Sequence, residues 1–308
     1  MIDRAEFLQR RKSGIGGSDV AAIAGLSPWR SPLDVYYDKL NIELGADSWE
    51  EMLPIGETSA RYWGSVHESA IGKAYTAVTG RKIQHYNRLI VHPDKEYFIG
   101  DVDFLAYCED GKRPVTPKGE IVTDKGIECK TARYADENWG TNFTDEIPVW
   151  YLTQVQWYMG LRPILQSFDV PVLFGGSDFR IYTVWQDITV INRLQAIAVD
   201  FWENHLKKQI PPPPRSLEEV QRFYGTAKLG KTLMASQDLE KDCLRYQEVS
   251  AARLALEKEE KELKDKIAVS MGDAETLTLP DDTILATFKE EKKGRMLRIR
   301  KNNNNKGR

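Results

Sequence analysis

Residues 126–132 read Gly-Ile-Glu-Cys-Lys-Thr-Ala, and the Glu-Cys-Lys at their centre is the segment best suited to chemistry. Because side chains alternate between the faces of a β-strand, Glu128 and Lys130 are expected on one face and Cys129 on the other. A carboxylate beside an ammonium group can hold a divalent metal ion next to a positive charge. That pairing suits phosphodiester hydrolysis, in which a metal ion activates water and stabilises developing negative charge. Alone, a Glu-X-Lys triplet is a weak signal, so its meaning depends on further carboxylates.

Two aspartates lie in a strand-like run upstream of this triplet. Asp101 and Asp103 alternate with Val102 and Phe104, so the same periodicity predicts both aspartates on one face and both apolar residues on the other. If this strand pairs with that of Glu128, one aspartate would lie within about 5–6 Å of it. A divalent ion relieves the repulsion between two such buried carboxylates. We favour Asp103 as the ligand, because the apolar residues after it continue the strand, with Asp101 as the alternative.

The composition sets outer limits on the class of protein. The chain has 308 residues, of which 41% are hydrophobic and 29% charged, enough for one substantial core and an appendage. The net charge of −3 argues mildly against a nucleic-acid partner, although metal-binding carboxylates contribute to it. Charge is also uneven, since Lys289–Arg308 is basic and Asp47–Glu57 is acidic. Composition therefore leaves nucleic acid open as a partner.

The cysteines and apolar runs favour a reduced, cytoplasmic protein. Cys108, Cys129 and Cys243 are scattered without CxxC spacing, so neither a zinc site nor a disulfide framework is indicated. No apolar run approaches the roughly 20 residues that span a bilayer, and the N-terminus lacks the pattern of a secretory signal. We therefore expect no membrane association.

Apolar periodicity predicts one α/β unit over residues 1–208. The predicted helices are Ser18–Leu26, Ser31–Leu40, Arg61–Thr79, Trp150–Gly160 and Ile188–Lys208. The predicted strands are Lys82–His92, Tyr97–Cys108, Gly126–Thr131, Gln166–Leu173 and Asp178–Gln186.

The remaining third of the chain is predicted to be an appendage. A proline-rich linker over 209–216 precedes a helical extension with a terminal β-hairpin over 217–300 and a disordered basic tail over 301–308. The helix-rich segment Leu239–Met271 has apolar residues near heptad spacing, but Arg253 and Glu260 interrupt them. That interruption favours a helical hairpin or docking arm over a long coiled coil.

Asp103 followed by Glu128-Cys129-Lys130 resembles the PD-(D/E)XK nuclease core, a central mixed β-sheet flanked by helices. Four further segments resemble one branch of it, the phage lambda exonuclease and YqaJ-like viral recombinase family. These segments are Arg11–Val20, Leu26–Pro32, Trp63–Glu68 and Tyr151–Gln156. The resemblance covers roughly residues 4–205. Five motifs in the order of the family make chance agreement improbable.

The resemblance implies a site for one or two Mg²⁺ ions, with Mn²⁺ as a substitute. Its implied ligands are Asp103, Glu128, Glu68 and the backbone carbonyl of Cys129. Lys130 would orient or deprotonate the attacking water or stabilise the transition state, and nearby cations would lower its pKa. Gln154 would hold that lysine or the water. Glu68 could instead be a solvated helix residue, and Gly64 is expected to let its helix approach the sheet closely.

The resemblance also implies contacts with DNA. Arg11 and Ser18, with the amides of Gly16 and Gly17, would receive the 5′-phosphate of a DNA end. The alternative is that Ser18 is an ordinary helix N-cap beside glycines of a tight turn.

Two further residues, Trp29 and Arg30, could lie along the path of the DNA, where an aromatic ring stacks on bases and a guanidinium contacts phosphates. For Trp29, simple packing is an equally good interpretation.

The function implied is a 5′-to-3′ exonuclease that degrades one strand of linear double-stranded DNA to supply single strands for phage-type recombination. The alternatives are a structure-specific or restriction-type endonuclease and a non-catalytic module that binds DNA ends. The expected partners are DNA ends, a single-strand annealing protein and further copies of the chain in a trimer. The expected location is the cytoplasm of a bacterial host cell, for a phage- or prophage-type protein.

Overall fold

The computed structural model describes residues 13–40, 60–292 and 294–300. The chain divides into two compact units, Met1–Ala227 and Lys228–Arg308. Arg11 and the predicted tail over 301–308 lie outside the described residues. Within the described ranges, no helix is long and apolar enough to cross a membrane.

The helices of the first unit follow the predicted apolar spacing. They are α1 (Gly17–Ile23), α2 (Pro32–Leu40), α3 (Ala60–Thr79), α4 (Val149–Leu161), α5 (Ile188–Phe201) and α6 (Leu217–Tyr224). Their ends have local causes: the Asp187 side chain accepts hydrogen bonds from the first amides of α5, and α3 stops at Gly80, whose φ of +70° suits glycine. α5 continues through one π-helical turn, Trp202–Leu206.

The first unit contains a six-stranded mixed sheet and a separate two-stranded ladder. The strands are β1 (Ile83–His85), β2 (Ile90–Val91), β3 (Ile99–Gly100), β4 (Phe104–Ala106), β5 (Lys125–Ile127), β6 (Lys130–Ala132), β7 (Ser167–Phe174) and β8 (Asp178–Trp185). In the large sheet β1, β4 and β5 are antiparallel neighbours, β5 and β6 run parallel to β7, and β8 is antiparallel to β7. β2 pairs with β3 alone.

β5 and β6 lie end to end, and both pair with β7. Ile127 pairs with Asp169 and Lys130 pairs with Val172, so the register is the same before and after the two intervening residues. The amide of Glu128 still donates to the carbonyl of Asp169, at 3.1 Å. The predicted single strand is therefore interrupted over 128–129 without a change of register.

Helices cover both faces of the large sheet. The larger apolar cluster joins α1, α2, α4 and α5 to one face, with Trp157 and Phe168 buried at its centre. The smaller cluster joins Tyr75 of α3 to Phe104 and Ile127 on the other face. The predicted mixed α/β architecture, a central sheet flanked by helices, is confirmed.

The single strand predicted over Tyr97–Cys108 is wrong. It is broken into β3 and β4, which pair in different sheets, and residues 101–103 have no strand pairing. Regular alternation fails across such a break, so Val102 packs in the larger cluster and Phe104 in the smaller one. The prediction that these two residues share a face is therefore also wrong.

The first unit extends beyond the predicted proline-rich linker. α6 starts at Ser216, whose hydroxyl accepts from the amide of Glu219. Arg222 of α6 forms an ion pair of 3.1 Å with Asp34 of α2, and both side chains are mostly buried. These contacts place α6 in the first unit, although the sequence had assigned it to the extension.

The second unit contains one long helix, α7 (Gln237–Met271), and the strands β9 (Thr276–Thr278), β10 (Ile284–Glu291) and β11 (Gly294–Ile299). The predicted helical hairpin is wrong, because α7 continues through the polar positions. Arg253 pairs with Glu257 and Glu260 pairs with Lys264, both one turn apart.

The predicted terminal hairpin is enlarged by a third strand. β10 is the centre of a three-stranded antiparallel sheet, with β9 on one side and β11 on the other.

The packing of β5 against β7 gives a stability prediction. A Cβ at Gly126 would collide with the ring of Phe168, which is fully buried. We expect Gly126→Ala to lower the free energy of unfolding by roughly 1–3 kcal/mol, measured by denaturant titration. Gly64→Ala is the matched control, because a Cβ there meets nothing within 4 Å and alanine favours a helix. Equal stability of the two variants would contradict the tight packing at Gly126.

Candidate active site

Glu128 lies between β5 and β6, and the residue is 3% exposed. Lys130 donates from Nζ to Glu128 Oε1 at 2.7 Å, so the structure brings the two predicted residues into direct contact. The second carboxylate oxygen, Oε2, is buried and has no hydrogen-bond partner among the described residues. A buried carboxylate oxygen without a partner is costly, which marks this atom as a candidate ligand-binding position.

Asp103 reaches the same place from the neighbouring strand. Antiparallel pairing of Phe104 with Ile127 sets it opposite Glu128, and its Oδ2 accepts from the amide of Cys129 at 2.7 Å. The thiol of Cys129 packs with the smaller apolar cluster on the other face, as the strand periodicity predicts. Burial raises the pKa of that thiol, so it is not a thiolate ligand.

The two carboxylates are held in unfavourable electrostatic surroundings. Burial, followed by the charge of Asp103, raises the pKa of Glu128 to about 8. Burial also raises the pKa of Asp103 to about 7, with Glu68 and Asp101 adding to the rise against the opposing effect of Lys130. Both groups therefore bind protons at neutral pH much more readily than ordinary carboxyl groups do.

The pKa of Lys130 is raised by its surroundings. Burial alone would lower the pKa of its ammonium group, but the charges of Glu128 and Asp103 outweigh burial and hold it above the ordinary value. Tyr151 lies beneath the ammonium, with its ring centroid 5.0 Å from Nζ. The lowering of this pKa by nearby cations stays a prediction.

Gln154 holds Glu128, and among the hydrogen bonds of the described residues it has none to Lys130. Its amide nitrogen donates to Glu128 Oε1 at 2.6 Å and to the hydroxyl of Tyr158 at 2.8 Å. The sequence analysis did not identify Tyr158, although its spacing of four residues from Gln154 places both on one face of α4. Gln156 is buried elsewhere and bonds to the backbone at Trp185 and Asp187.

Glu68 approaches the site from α3. Burial, then the charges of Glu128 and Asp101, raise its pKa, and its Oε1 lies 3.7 Å from Nδ1 of His85. The predicted close approach at Gly64 is wrong, because a Cβ there would meet nothing. Gly72, two turns further along, makes the close approach: a Cβ there would lie 2.8 Å from the ring of Phe104.

These side chains surround a cleft of about 210 Å³. Asp101 lines it and stays the alternative ligand, and Gly17 and Ser18 form part of its rim at the start of α1. Ser18 is not the N-cap; the helix begins one residue earlier, where Asp19 accepts from the amide of Gly16 at 2.9 Å. The lining residues are Gly16, Gly17, Ser18, Ser65, Glu68, Leu89, Ile99, Gly100, Asp101, Asp103, Glu128, Gln154 and Tyr158.

Trp29 and Arg30 have different surroundings. Trp29 is 66% exposed and packs edge-on against Trp150, with ring centroids 5.4 Å apart. Arg30 forms ion pairs with Asp19 at 3.0 Å and Asp38 at 3.1 Å, so a phosphate would compete with two carboxylates for its guanidinium. The exposed ring of Trp29 is the better placed of the two for a ligand.

A second polar network lies beneath the site, and the sequence analysis did not anticipate it. Asp169 on β7 accepts from the hydroxyl of Tyr75 at 2.6 Å, from Lys125 Nζ at 2.7 Å and from the hydroxyl of Thr183 at 2.8 Å. A single aspartate within the apolar strand 167–174 is the signal that could have revealed it. Because the carbonyl of Asp169 accepts from Glu128, this network supports the backbone of the site.

The donor set fits a divalent cation. The unpartnered oxygen of Glu128, the carboxylate of Asp103 and their raised pKa values all indicate a need for positive charge. Among the described residues, no group of three His, Cys, Asp or Glu side chains already has the spacing of a metal cluster. The ammonium group of Lys130 neutralises the Glu128 carboxylate from one side.

Comparison with known proteins gives the following matches. Residues 6–161 match the family described as YqaJ-like viral recombinase domain. The uncharacterized protein YqaJ of Bacillus subtilis (strain 168) is 28% identical over 283 residues, which cover 89% of this chain and 80% of that protein.

Two solved structures of an alkaline exonuclease, LHK-Exo, are also similar at 17% identity. The structure from Laribacter hongkongensis has a TM-score of 0.46 and covers 67% of this chain and 94% of that chain. The structure of LHK-Exo in complex with dAMP has a TM-score of 0.45 and covers 71% of this chain and 97% of that chain. The match over residues 6–161 spans half of the sequence, and the chain therefore belongs to the YqaJ-like viral recombinase domain family.

Proposed function

We propose that the chain is a metal-dependent exonuclease that degrades one strand of linear double-stranded DNA from 5′ to 3′, supplying single strands for recombination. The observation that carries the proposal is the buried Glu128 carboxylate, which is hydrogen-bonded through one oxygen and has no partner among the described residues at the other. Asp103 supplies a second carboxylate beside it, and Lys130 supplies a positively charged ammonium group. Phosphodiester hydrolysis uses both kinds of group. Membership of a viral recombinase family supports DNA as the substrate.

The cation would be Mg²⁺, with Mn²⁺ as a substitute, because carboxylate and carbonyl oxygens suit both ions. Glu128 and Asp103 would hold it, with Glu68 and the backbone carbonyl of Cys129 as further ligands and Asp101 as the alternative. When bound, such an ion supplies a Lewis acid that polarises the phosphodiester and lowers the pKa of water.

The chain's own side chains would orient the reaction. Lys130 is held as an ammonium group by two carboxylates, which favours a role as a hydrogen-bond donor to phosphate oxygens over a role as a base. Gln154 fixes the carboxylate of Glu128 from the other side, and Tyr158 fixes Gln154. These contacts keep Glu128 in one orientation, as a catalytic carboxylate requires.

The end of the DNA would be recognised at the rim of the cleft. Gly17 and Ser18 lie there, and Arg11 precedes them in the sequence, so we propose that they receive the 5′-phosphate. Trp29 would stack on a base next to this end.

A single-strand annealing protein and a trimer of this chain are proposed as partners. The bacterial cytoplasm, where phage recombination takes place, is the proposed location.

Replacement of Glu128 tests the catalytic assignment. We expect Glu128→Gln to lower Mg²⁺-dependent hydrolysis of linear duplex by at least roughly a hundredfold, because a metal ligand is lost, while DNA binding persists. The matched control is Glu137→Gln, at an exposed loop position away from the cleft. Rates are measured by gel assay and binding by fluorescence anisotropy. Unchanged cleavage in Glu128→Gln would rule out its assignment as a ligand.

The raised pKa values predict a pH-dependent affinity for the cation. Since the folded-state pKa is about 7 for Asp103 and about 8 for Glu128, both groups lose their protons between about pH 6 and pH 9. Mg²⁺ affinity should therefore rise across this window and level off above it, with release of protons on binding. Calorimetry in buffers of different protonation enthalpy measures that release. A flat affinity above pH 6 would show that the carboxylates titrate in the ordinary range.

The direction of digestion is tested on linear duplex labelled on one strand. We expect label at a 5′-phosphorylated end to be released first and covalently closed circles to stay intact, because the rim receives a strand end. Arg11→Ala and Ser18→Ala should each slow digestion of phosphorylated ends by on the order of tenfold, with a smaller effect on 5′-hydroxyl ends. Cleavage of circles would favour an endonuclease, and equal slowing on both kinds of end would exclude the phosphate contact.

A further inference from the structure

A groove of about 1330 Å³ lies in the first unit, with walls formed by residues 84–91 and 108–122. We refer to it as the basic groove, because Arg88, Lys112 and Arg113 line it and Asp110 is the acidic residue in its lining. Its volume exceeds the roughly 300–1,000 Å³ that is usual for small-molecule pockets. The size and charge together indicate a polymeric anion as the occupant.

The basic groove adjoins the candidate active site. Leu89 lines both the groove and the cleft. His85 of the groove lies 3.7 Å from Glu68, and the amide of Tyr86 donates to the carbonyl of Asp103 at 3.4 Å. A chain that occupies the groove would therefore lead directly to the proposed ligands Glu68 and Asp103.

The positive charges of the groove are available to a ligand. Arg88 donates to the carbonyl of Lys118 at 3.0 Å, which fixes its guanidinium across the groove without neutralising it. Arg113 is exposed and forms no ion pair with a carboxylate of the described residues. Lys112 pairs with Asp110 at 2.7 Å, but both are exposed, and such a pair is weak enough to exchange for a phosphate.

Apolar and aromatic groups lie between these charges. Tyr86 and Leu89 line one wall, and Val115, Pro117 and Val122 line the other. In a DNA duplex the phosphates face outward and the bases are stacked inside, so the bases would not contact these apolar and aromatic side chains. A single strand presents both phosphates and bases, and sites for it combine cations with stacking or apolar groups.

We propose that the basic groove binds a single-stranded segment of DNA next to the phosphodiester at Glu128. This inference rests on the proposed nuclease function, since that function identifies the polymer as DNA. Lys112 and Arg113 contact phosphates, Tyr86 contacts a base, and the groove guides the unpaired strand to or from the cleft.

The test measures binding in the absence of metal, so that no cleavage occurs. The full-length chain is titrated in EDTA with a labelled oligo(dT) of about 12 nucleotides, within the usual size of such sites, and with a blunt duplex. For Lys112→Ala/Arg113→Ala, the slope of log affinity against log salt for oligo(dT) should fall in magnitude by about 1.4, from two lost phosphate contacts. Affinity at about 50 mM salt should fall by on the order of tenfold.

The charge-matched control is Arg193→Ala/Lys208→Ala, at two exposed positions of the same unit outside the groove. Equal losses in both double variants, or no oligo(dT) binding by the unaltered chain, would overturn the proposal. A loss confined to the duplex would overturn the assignment of a single strand. Tyr86→Ala should weaken oligo(dT) binding without changing the salt slope.

Hydrolysis of bis(p-nitrophenyl) phosphate with Mg²⁺ separates this inference from the proposed function. Hydrolysis of this small diester requires the cleft but no contacts along the basic groove. If the unaltered chain cleaves neither this diester nor DNA, the nuclease proposal is contradicted. The oligo(dT) binding data then still test whether the groove binds a single strand. The control variant Arg193→Ala/Lys208→Ala should cleave the diester at the unaltered rate, because both positions lie outside the groove and the cleft.

Discussion

The burial of Glu128 beside Asp103 is the constraint on which the rest of the first unit depends. Two mostly buried carboxylates oppose folding when both are ionised, and one oxygen of Glu128 lacks any partner among the described residues. Lys130 and Gln154 offset part of that cost. The arrangement persists because strand pairing on both sides fixes the backbone at 128. The burial of Glu128 and Asp103 thus lowers stability at a site where a bound ligand can restore it.

Asp169 shows the contrasting solution on the adjacent strand. It is as deeply buried as Glu128, but Tyr75, Lys125 and Thr183 all donate to its carboxylate. Fully satisfied buried networks rigidify their surroundings, whereas partly satisfied ones are free to take a ligand. The two acids therefore have separate roles: Asp169 holds the sheet and α3 together, and Glu128 faces the cleft.

Sequence periodicity located much of the site because its central residues are close in the chain. Glu128 and Lys130 follow from alternation along one strand, which the unchanged register along β7 preserves. Alternation failed at Asp101–Asp103, because β3 before this segment and β4 after it pair in different sheets. The contact of Gln154 with Glu128 could not be predicted either. Helix spacing tells which face of α4 carries Gln154, but not how far that face lies from Glu128. Such distances depend on packing between elements far apart in sequence.

The anchoring of α3 has a consequence for how the cleft can change shape. Glu68, Gly72 and Tyr75 are spaced along one face of this helix, with Gly72 against Phe104 and Tyr75 bonded to Asp169. Sliding or tilting of the helix would break that bond or drive the backbone into an aromatic ring. On the α3 side of the cleft, a ligand is therefore accommodated by rotation about the side-chain torsions of Glu68 and not by movement of the helix.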